Sequence, residues 1–286
     1  MVRIVSDFDG VFTNQEGEAA AVGEYQLELI GGALRDMDLA RTVIEVARQK
    51  VVGDALHHGW WWSDLITCYA DEDPYVFHNA VVACLYQSGP SQVVAQLKAG
   101  GFPDYNSLAQ RCFVEGTERY RSAHSSHLVS DAVSTLKAFA AAGTEVVVVS
   151  NSSGDRIQRI FDDFGTQAFE GISPRVRGDA RKFLVTGLPE SLPETMMLGG
   201  RRVYLRRGQY HQILDQEQPA LVIGDVLSLD LAMPIALRHH VPEFRDLKLF
   251  LKRAAHTPEW ALQACREHDV VILESLEELT QQVLGK

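Results

Sequence analysis

Short runs of β-branched and aliphatic residues alternate with helix-like segments through the second half of the chain, and no other feature constrains the fold as strongly. Four such runs are EVVVV (145–149), PALVIG (219–224), KLFL (248–251) and VVIL (270–273). Segments with apolar residues at helical spacing lie between them. Strands that alternate with helices form a mostly parallel sheet with the helices as crossover connections. We therefore predict an α/β fold built on a Rossmann-like, doubly wound parallel sheet.

The segment from residue 16 to residue 124 departs from this pattern. A first short strand is predicted at residues 2–6, VRIVS, after which apolar residues recur at helical spacing with little strand pattern. We predict that residues 1–15 and 125–286 form an α/β core domain, interrupted by an all-helical cap domain. The run of three tryptophans in this insert, WWW, is expected to anchor packing, as aromatic residues usually do.

Composition and charge argue against several classes of function. The 286 residues are 46% hydrophobic and 23% charged, which is typical of a globular protein. The net charge of -11 argues against binding to nucleic acid or to an anionic membrane. The four cysteines form no CxxC pair, and the sequence contains neither a signal-peptide pattern nor an apolar run of membrane-spanning length. We expect a cytoplasmic protein with a small-molecule partner; the sequence does not indicate an oligomeric state.

Polar residues follow three of the predicted strands at the points where these strands end. They carry carboxylate, hydroxyl or amide groups, and they are Asp7, Asp9, Ser150, Asn151, Asp225 and Asp230. In an open parallel sheet, the carboxyl ends of the strands meet at one edge, where ligands bind. Carboxylates gathered there repel one another unless a cation lies between them. A hard divalent ion with oxygen ligands fits, and Mg²⁺ is the natural choice when the partner is a phosphate.

The two aspartates in the stretch DFDG suit the transfer of a phosphoryl group. Residues i and i+2 of a strand share a face, so Asp7 and Asp9 can serve the same phosphorus atom. One carboxylate can attack phosphorus and form an aspartyl-phosphate. The other can protonate the leaving oxygen and then deprotonate the attacking water. The hydroxyl of Ser150 and the backbone amides near Asn151, at the start of a predicted helix, suit a phosphate oxygen.

In their order along the chain, these motifs resemble those of the haloacid dehalogenase superfamily of phosphatases and phosphotransferases. DFDGVFT resembles the first motif, Ser150 the second and GDVLSLD the fourth, and an insert directly after the first motif resembles a helical cap of the C1 type. The resemblance implies that Asp7 is the nucleophile and Asp9 the general acid and base. It also implies that Mg²⁺ is held by the carboxylates of Asp7 and Asp225 and the backbone carbonyl of Asp9, with support from Asp230.

The third motif of this superfamily is a lone lysine, which we assign to Lys182 in GDARKFLV. This lysine lies between the second and fourth motifs and follows a turn-like Gly-Asp pair. A hairpin is predicted just beyond it, in RRVYLRRGQYHQIL (201–214), with its turn near Arg207-Gly208. Arg206 or Arg207 could therefore hold the phosphate instead. The sequence leaves open which of these cations does so.

The sequence as a whole predicts a Mg²⁺-dependent phosphomonoesterase that hydrolyses a small-molecule phosphate ester through an aspartyl-phosphate. Because dehalogenases of the superfamily lack the second aspartate, Asp9 favours a phosphate ester as the substrate. Two alternatives remain at this point: a phosphotransferase or phosphomutase of the same fold, and a binding module without catalytic activity. The identity of the ester is not indicated, since the insert contains no recognisable specificity motif.

Overall fold

The structure, a computed structural model, describes the chain in three segments, residues 2–124, 128–163 and 174–285. The predicted start of the second core segment, residue 125, lies outside the described residues. The chain forms two compact units, which consist of Met1–Asn14 with Ser126–Lys286 and of Gln15–Ser125. Across the three described segments, every helix is too short or too polar to span a membrane.

Ten β-strands and eleven α-helices lie in the described residues. The strands are β1 (Arg3–Ser6), β2 (Gly59–Trp62), β3 (Leu65–Tyr69), β4 (Glu145–Val149), β5 (Arg175–Arg177), β6 (Thr195–Leu198), β7 (Arg201–Tyr204), β8 (Leu221–Gly224), β9 (Lys248–Lys252) and β10 (Val271–Leu273). The helices are α1 (Gln15–Leu34), α2 (Met37–Gly53), α3 (Pro74–Ser88), α4 (Ser91–Ala99), α5 (Tyr105–Ala123), α6 (Ala132–Ala141), α7 (Gly154–Asp163), α8 (Gly208–Glu217), α9 (Ala232–His240), α10 (Glu259–Glu267) and α11 (Leu276–Leu284).

The first unit contains a six-stranded sheet in the order β10-β9-β8-β1-β4-β5. All neighbouring strands in it are parallel, which confirms the predicted sheet. The register aligns Val5 of β1 with Val147 of β4 and Val222 of β8, and all three side chains are buried. The chain moves from β1 to β4 on one side and later to β8 on the other. A crevice is therefore expected beyond the carboxyl end of β1, where the strand order reverses.

The core of this unit anchors the turn that follows β1. Ile4, Val148 and Ile223 pack into one hydrophobic cluster, together with Ile157 of α7. Phe8 is fully buried in the same cluster, and its ring lies 5.5 Å from that of Phe161 in an edge-to-face arrangement. Burial of a phenylalanine contributes about 1.5–3 kcal/mol to folding. Because this residue separates the two aspartates of DFDG, its burial fixes the backbone that carries both of them.

The inserted unit is mostly helical, with its own hydrophobic core formed by residues of α1 to α5. The prediction of an all-helical insert was wrong, because β2 and β3 form an antiparallel hairpin. Ser63 and Asp64 make its two-residue turn with positive φ angles of 46° and 64°, as in a type I′ turn. The run of tryptophans forms β2, and aromatic residues favour strands. A run this short shows neither a helical nor a strand period, and so the sequence does not reveal the hairpin.

The predicted hairpin at residues 201–214 was also wrong in its position. The observed hairpin pairs β6 with β7 and turns at Gly199 and Gly200, whose φ angles are 52° and 82°. Two glycines in succession adopt such angles without a steric penalty. Beyond β7 the chain forms α8, in which Tyr210 and Leu214 are buried at a spacing of four residues. That helical spacing, rather than the Arg-Gly pair, indicates the structure of this segment.

Candidate active site

Hydrogen bonds between β1, β4, β5 and β8 bring three strand ends to one edge of the sheet. The amide of Asp7, directly after β1, donates to the carbonyl of Ile223 in β8 at 2.9 Å. The amide of Ser150, directly after β4, donates to the carbonyl of Arg177 in β5 at 3.2 Å. Asp225 follows β8 immediately. The sheet therefore delivers the predicted polar residues to a common edge.

Asp7, Asp225 and Asp230 form an acidic cluster. One carboxylate oxygen from each lies within 4.8 Å of the corresponding atoms of the other two. Asp225 and Asp230 are buried, and the side chain of Asp7 is 11% exposed. Carboxylate oxygens at this spacing are the donor set that a hard divalent cation prefers. The residues present thus fit Mg²⁺.

Lys182 extends into this acidic cluster. Its Nζ atom lies 2.5 Å from Asp7 Oδ1 and 2.8 Å from Asp230 Oδ1, and the residue is 1% exposed. Its backbone amide donates to Asn151 Oδ1 at 2.7 Å. Burial opposes the charged form, yet the carboxylates of Asp230 and Asp7 raise the pKa of Lys182 above its ordinary value. The lysine is therefore a permanent cation next to the predicted nucleophile.

The two arginines considered as alternatives to Lys182 make different contacts. Arg207 is buried, and its guanidinium donates to the backbone carbonyls of Lys182 and Tyr204. Arg206 donates from Nε to the carbonyl of Leu192 at 2.9 Å. Arg207 thus holds the backbone of the lysine, and these contacts favour Lys182 as the cation at the carboxylates. The side chain of Asn151 also supports the lysine, and its contact with a phosphate oxygen stays a prediction.

Burial and neighbouring charges strongly affect the carboxyl group of Asp7. Burial raises its pKa to about 8, even though Lys182 lowers it, and the negative charges of Asp230 and Asp9 raise it further. The ionised form, which the predicted nucleophile requires, is therefore disfavoured by the protein groups alone. A divalent cation within the acidic cluster would favour that form. The raised pKa of Asp7 and the three carboxylates of the cluster thus both favour a divalent cation at this position.

The backbone of the DFDG turn lies directly against the acidic cluster. Gly10 has a φ of +78°, and a Cβ atom added there would lie 1.9 Å from Asp225 Oδ2. A Cβ atom at Gly224 would lie 2.2 Å from that of Asp230. Asp230 itself belongs to a short π-helix, Leu227–Leu231, and its Oδ2 accepts from the amide of Val226 at 3.0 Å. Such π-helical turns occur frequently at functional sites.

We expect Gly10→Ala to destabilise the protein and to disrupt the site. The positive φ costs a residue with a side chain about 1–2 kcal/mol, and overpacking adds about 1–3 kcal/mol. Gly143→Ala is the matched control, because Gly143 has a φ of +70° but open space around an added Cβ atom. Urea unfolding should therefore show a larger loss for Gly10→Ala than for the control. Equal losses of unfolding free energy in the two variants would mean that contact between the added Cβ atom and Asp225 does not destabilise the protein.

The carboxylate of Asp9 lies in a separate group of contacts. Its Oδ2 accepts from Ser152 Oγ at 2.7 Å and from Ser150 Oγ at 3.5 Å, and Arg156 Nη1 lies 2.9 Å from Oδ1. Sequence reasoning did not single out Ser152 or Arg156. The available signal was the position of Arg156 in the first turn of a helix that begins beyond the end of β4. A side chain there extends back toward the edge of the sheet.

The segment Gly178–Lys182 connects these two parts of the site. The amides of Asp179 and Ala180 donate to the carbonyls of Ser152 and Ser150, both at 2.9 Å. A Cβ atom at Gly178 would lie 2.0 Å from the backbone nitrogen of Gly154, at the start of α7. The same segment ends at Lys182. One stretch of backbone therefore packs against the turn after β4 and delivers the lysine to the acidic cluster.

No protein-family model matches the sequence. No curated protein matches it either. The chain is therefore compared with other proteins through its structure.

Solved structures are similar to this chain along its full length. A structural genomics target has a TM-score of 0.50 at 14% identity, over 100% of this chain and 98% of that chain. A HAD phosphatase from Thermococcus onnurineus has a TM-score of 0.45 at 15% identity, over 100% and 98%. YfnB from Bacillus subtilis, described as a HAD-hydrolase and solved bound to magnesium, has a TM-score of 0.43 at 14% identity, over 100% and 99%. Dehalogenases are also among the similar structures. At such low identities, the likeness concerns the fold.

Proposed function

We propose that this chain is a member of the haloacid dehalogenase superfamily and a Mg²⁺-dependent phosphatase that acts on small-molecule phosphate monoesters. The observation that carries the proposal is the contact of Lys182 with Asp7 inside the acidic cluster, with Nζ 2.5 Å from Oδ1. A carboxylate and a phosphate dianion repel each other. The attack of one on the other therefore needs cations next to both groups. The lysine supplies part of this charge, and the cluster is suited to hold a divalent cation that supplies the rest.

The first chemical step transfers the phosphoryl group to Asp7. A carboxylate oxygen attacks phosphorus, and the new bond forms as the bond from phosphorus to the ester oxygen breaks. Asp9 gives its proton to that ester oxygen, and the alcohol leaves. When bound, the cation neutralises charge on the phosphoryl oxygens and on the nucleophile. Ser150, whose Oγ lies 3.5 Å from Asp9 Oδ2, would hold a phosphoryl oxygen.

The second step hydrolyses the aspartyl-phosphate. A water molecule attacks phosphorus, its proton passes to the carboxylate of Asp9, and the bond between phosphorus and Asp7 breaks. Inorganic phosphate is released, and Asp7 is regenerated as a carboxylate. Asp9 is thus an acid in the first step and a base in the second. Its presence is the reason to prefer a phosphate ester over a haloacid as the substrate.

Removal of divalent cations is expected to abolish this activity. Purified protein should release 4-nitrophenol from 4-nitrophenyl phosphate in the presence of Mg²⁺, and EDTA should lower kcat by at least about 100-fold. Excess Mg²⁺ should restore the rate, whereas excess Na⁺ at equal ionic strength should not. A rate that is indifferent to EDTA would contradict the proposed role of the acidic cluster.

A panel of phosphorylated metabolites, assayed for phosphate release, would then identify the ester. Phosphorylated acceptor alongside free phosphate would reveal a phosphotransferase or mutase. An absence of turnover across the panel, with no beryllofluoride adduct at Asp7, would favour a binding module. The net charge of -11 argues against nucleic acid as the substrate.

A further inference from the structure

Arg156, Ser152 and Asp9 form a closed set of contacts at the edge of the acidic cluster. Arg156 Nη1 lies 2.9 Å from Asp9 Oδ1 and 3.0 Å from Oδ2. The same atom donates to Ser152 Oγ at 2.5 Å, and this hydroxyl donates to Asp9 Oδ2 at 2.7 Å. The side chains of Arg156 and Asp9 are only 15% and 18% exposed. Besides its longer contact with Ser150, the carboxylate is thus held by two partners that also contact each other.

The backbone of α7 determines where the guanidinium lies. The Oγ atom of Ser153 accepts from the amide of Arg156 at 3.3 Å and caps the first turn. Ile157, the next residue, is fully buried in the core and anchors that turn. Side chains of a helix lean toward its N-terminus, and α7 begins just beyond the end of β4. Arg156 therefore extends over the strand ends, where the carboxylate of Asp9 lies.

The stability of α7 does not account for this arginine. A cation in the first turn of a helix faces the positive end of the helix dipole, which destabilises the helix by about 0.3–1 kcal/mol. Holding the long arginine side chain in one conformation also costs about 1.5–2 kcal/mol of rotamer entropy. An arginine is thus locally unfavourable at this position of α7. Its contacts with Asp9 and Ser152 offset that cost. A residue that breaks a local rule in this way points to a functional reason.

We propose that Arg156 is a positioning residue, which together with Ser152 holds the carboxyl group of Asp9 where it can pass a proton to the leaving oxygen. This inference rests on the proposed phosphatase function. A general acid has to lie within about 2.6–3.2 Å of the oxygen that it protonates. Without Arg156, the carboxyl group of Asp9 would keep its hydroxyl contacts with Ser152 and Ser150 but would lose the cation that fixes both of its oxygens. Arg156 acts through Asp9 and needs no contact with the substrate.

The first test compares two substrates that differ in their leaving group. Phenyl phosphate releases a poor leaving group and needs an acid, whereas 4-nitrophenyl phosphate releases a good one. We expect Arg156→Gln to lower kcat/KM for phenyl phosphate by about 100-fold, and that for 4-nitrophenyl phosphate by less than about tenfold. Arg159→Gln is the matched control: Arg159 lies on the same helix, is exposed and donates to the carbonyl of Asp155. Its kcat/KM values should equal those of the unmodified protein.

The second test asks whether Arg156 acts through Asp9. If it does, the double variant Asp9→Asn/Arg156→Gln should turn over phenyl phosphate as slowly as Asp9→Asn alone, since the two effects are not independent. Arg156→Lys keeps a cation and should recover part of the loss, which guards against a folding defect in Arg156→Gln. Multiplied losses in the double variant, equal losses for both substrates, or a raised KM with unchanged kcat would each overturn the inference. An unmodified protein that hydrolyses neither substrate would instead overturn the proposed function, and this inference with it.

Discussion

Asp7→Asn is expected to abolish turnover and to leave the protein folded. An amide oxygen is a poor nucleophile and cannot form a stable acyl-phosphate, so kcat should fall by at least about 10⁴-fold, as when other enzymes lose their nucleophile. Phosphate release from 4-nitrophenyl phosphate in the presence of Mg²⁺ measures the loss. Asp246→Asn, which changes an exposed aspartate in the same unit, is the matched control and should keep full activity.

The effect of Asp7→Asn on the stability of the protein also has a predictable direction. Burial raises the pKa of Asp7 from 3.8 to about 8, so the folded protein binds this proton more tightly than the unfolded chain. The contribution of Asp7 to stability is therefore present below its ordinary pKa and is lost as the pH rises toward 8. A neutral asparagine shows no such loss. In EDTA at pH 8, thermal unfolding of Asp7→Asn should occur at or above the temperature found for the unmodified protein.

If the Asp7→Asn variant retained turnover, that result would exclude Asp7 as the nucleophile.

Lys182→Met should lower both stability and activity strongly. The lysine is 1% exposed and lies between Asp7 and Asp230, so its loss leaves two carboxylates without the cation that they share. Removing one partner of a buried ion pair costs about 3–5 kcal/mol. Activity should fall as well, by at least about 100-fold, because the phosphate dianion loses a preorganised cation. Urea unfolding in EDTA and phosphate release in Mg²⁺ measure the two effects separately.

The control for this substitution is Lys248→Met, because Lys248 is an exposed lysine at the start of β9. Its unfolding free energy should change by less than about 0.5 kcal/mol. Similar changes in the two variants would mean that the lysine is not electrostatically coupled to the acidic cluster. If Lys182→Met lowered activity but not stability, the role of Lys182 would be confined to binding the phosphate of the substrate.

The parallel sheet could be predicted from the sequence because both of its faces are buried. β4, with its run EVVVV, and β8, which reads LVIG, need burial on both sides, and crossover helices provide it. The hairpins were harder to predict for a physical reason. β2 contains four residues, GWWW, and so short a run shows neither a helical nor a strand period. Its turn is set by the positive φ angles of Ser63 and Asp64, and a Ser-Asp pair lacks the glycine that usually marks such a turn.

The acidic cluster was predictable for the same reason as the sheet. Once strands are parallel, residues that follow them must meet, and so Asp7 and Asp225 could be placed together from their positions alone. The position of Lys182 does not follow from the sheet, because this residue lies in a loop and not at a strand end. Arg156 was missed because a first-turn arginine resembles any other surface cation in a sequence. Its burial and the contacts of its guanidinium with Asp9 and Ser152 separate it from the exposed Arg159 on the same helix.

The segment Gly178–Lys182 has a consequence for how this site can vary. Its glycine touches the start of α7, which carries Arg156, and its last residue is Lys182. A bulkier residue at Gly178 would shift both of them at once, although it touches neither. A substitution at Gly178 is therefore expected to disturb two contacts together, that of Lys182 with Asp7 and that of Arg156 with Asp9.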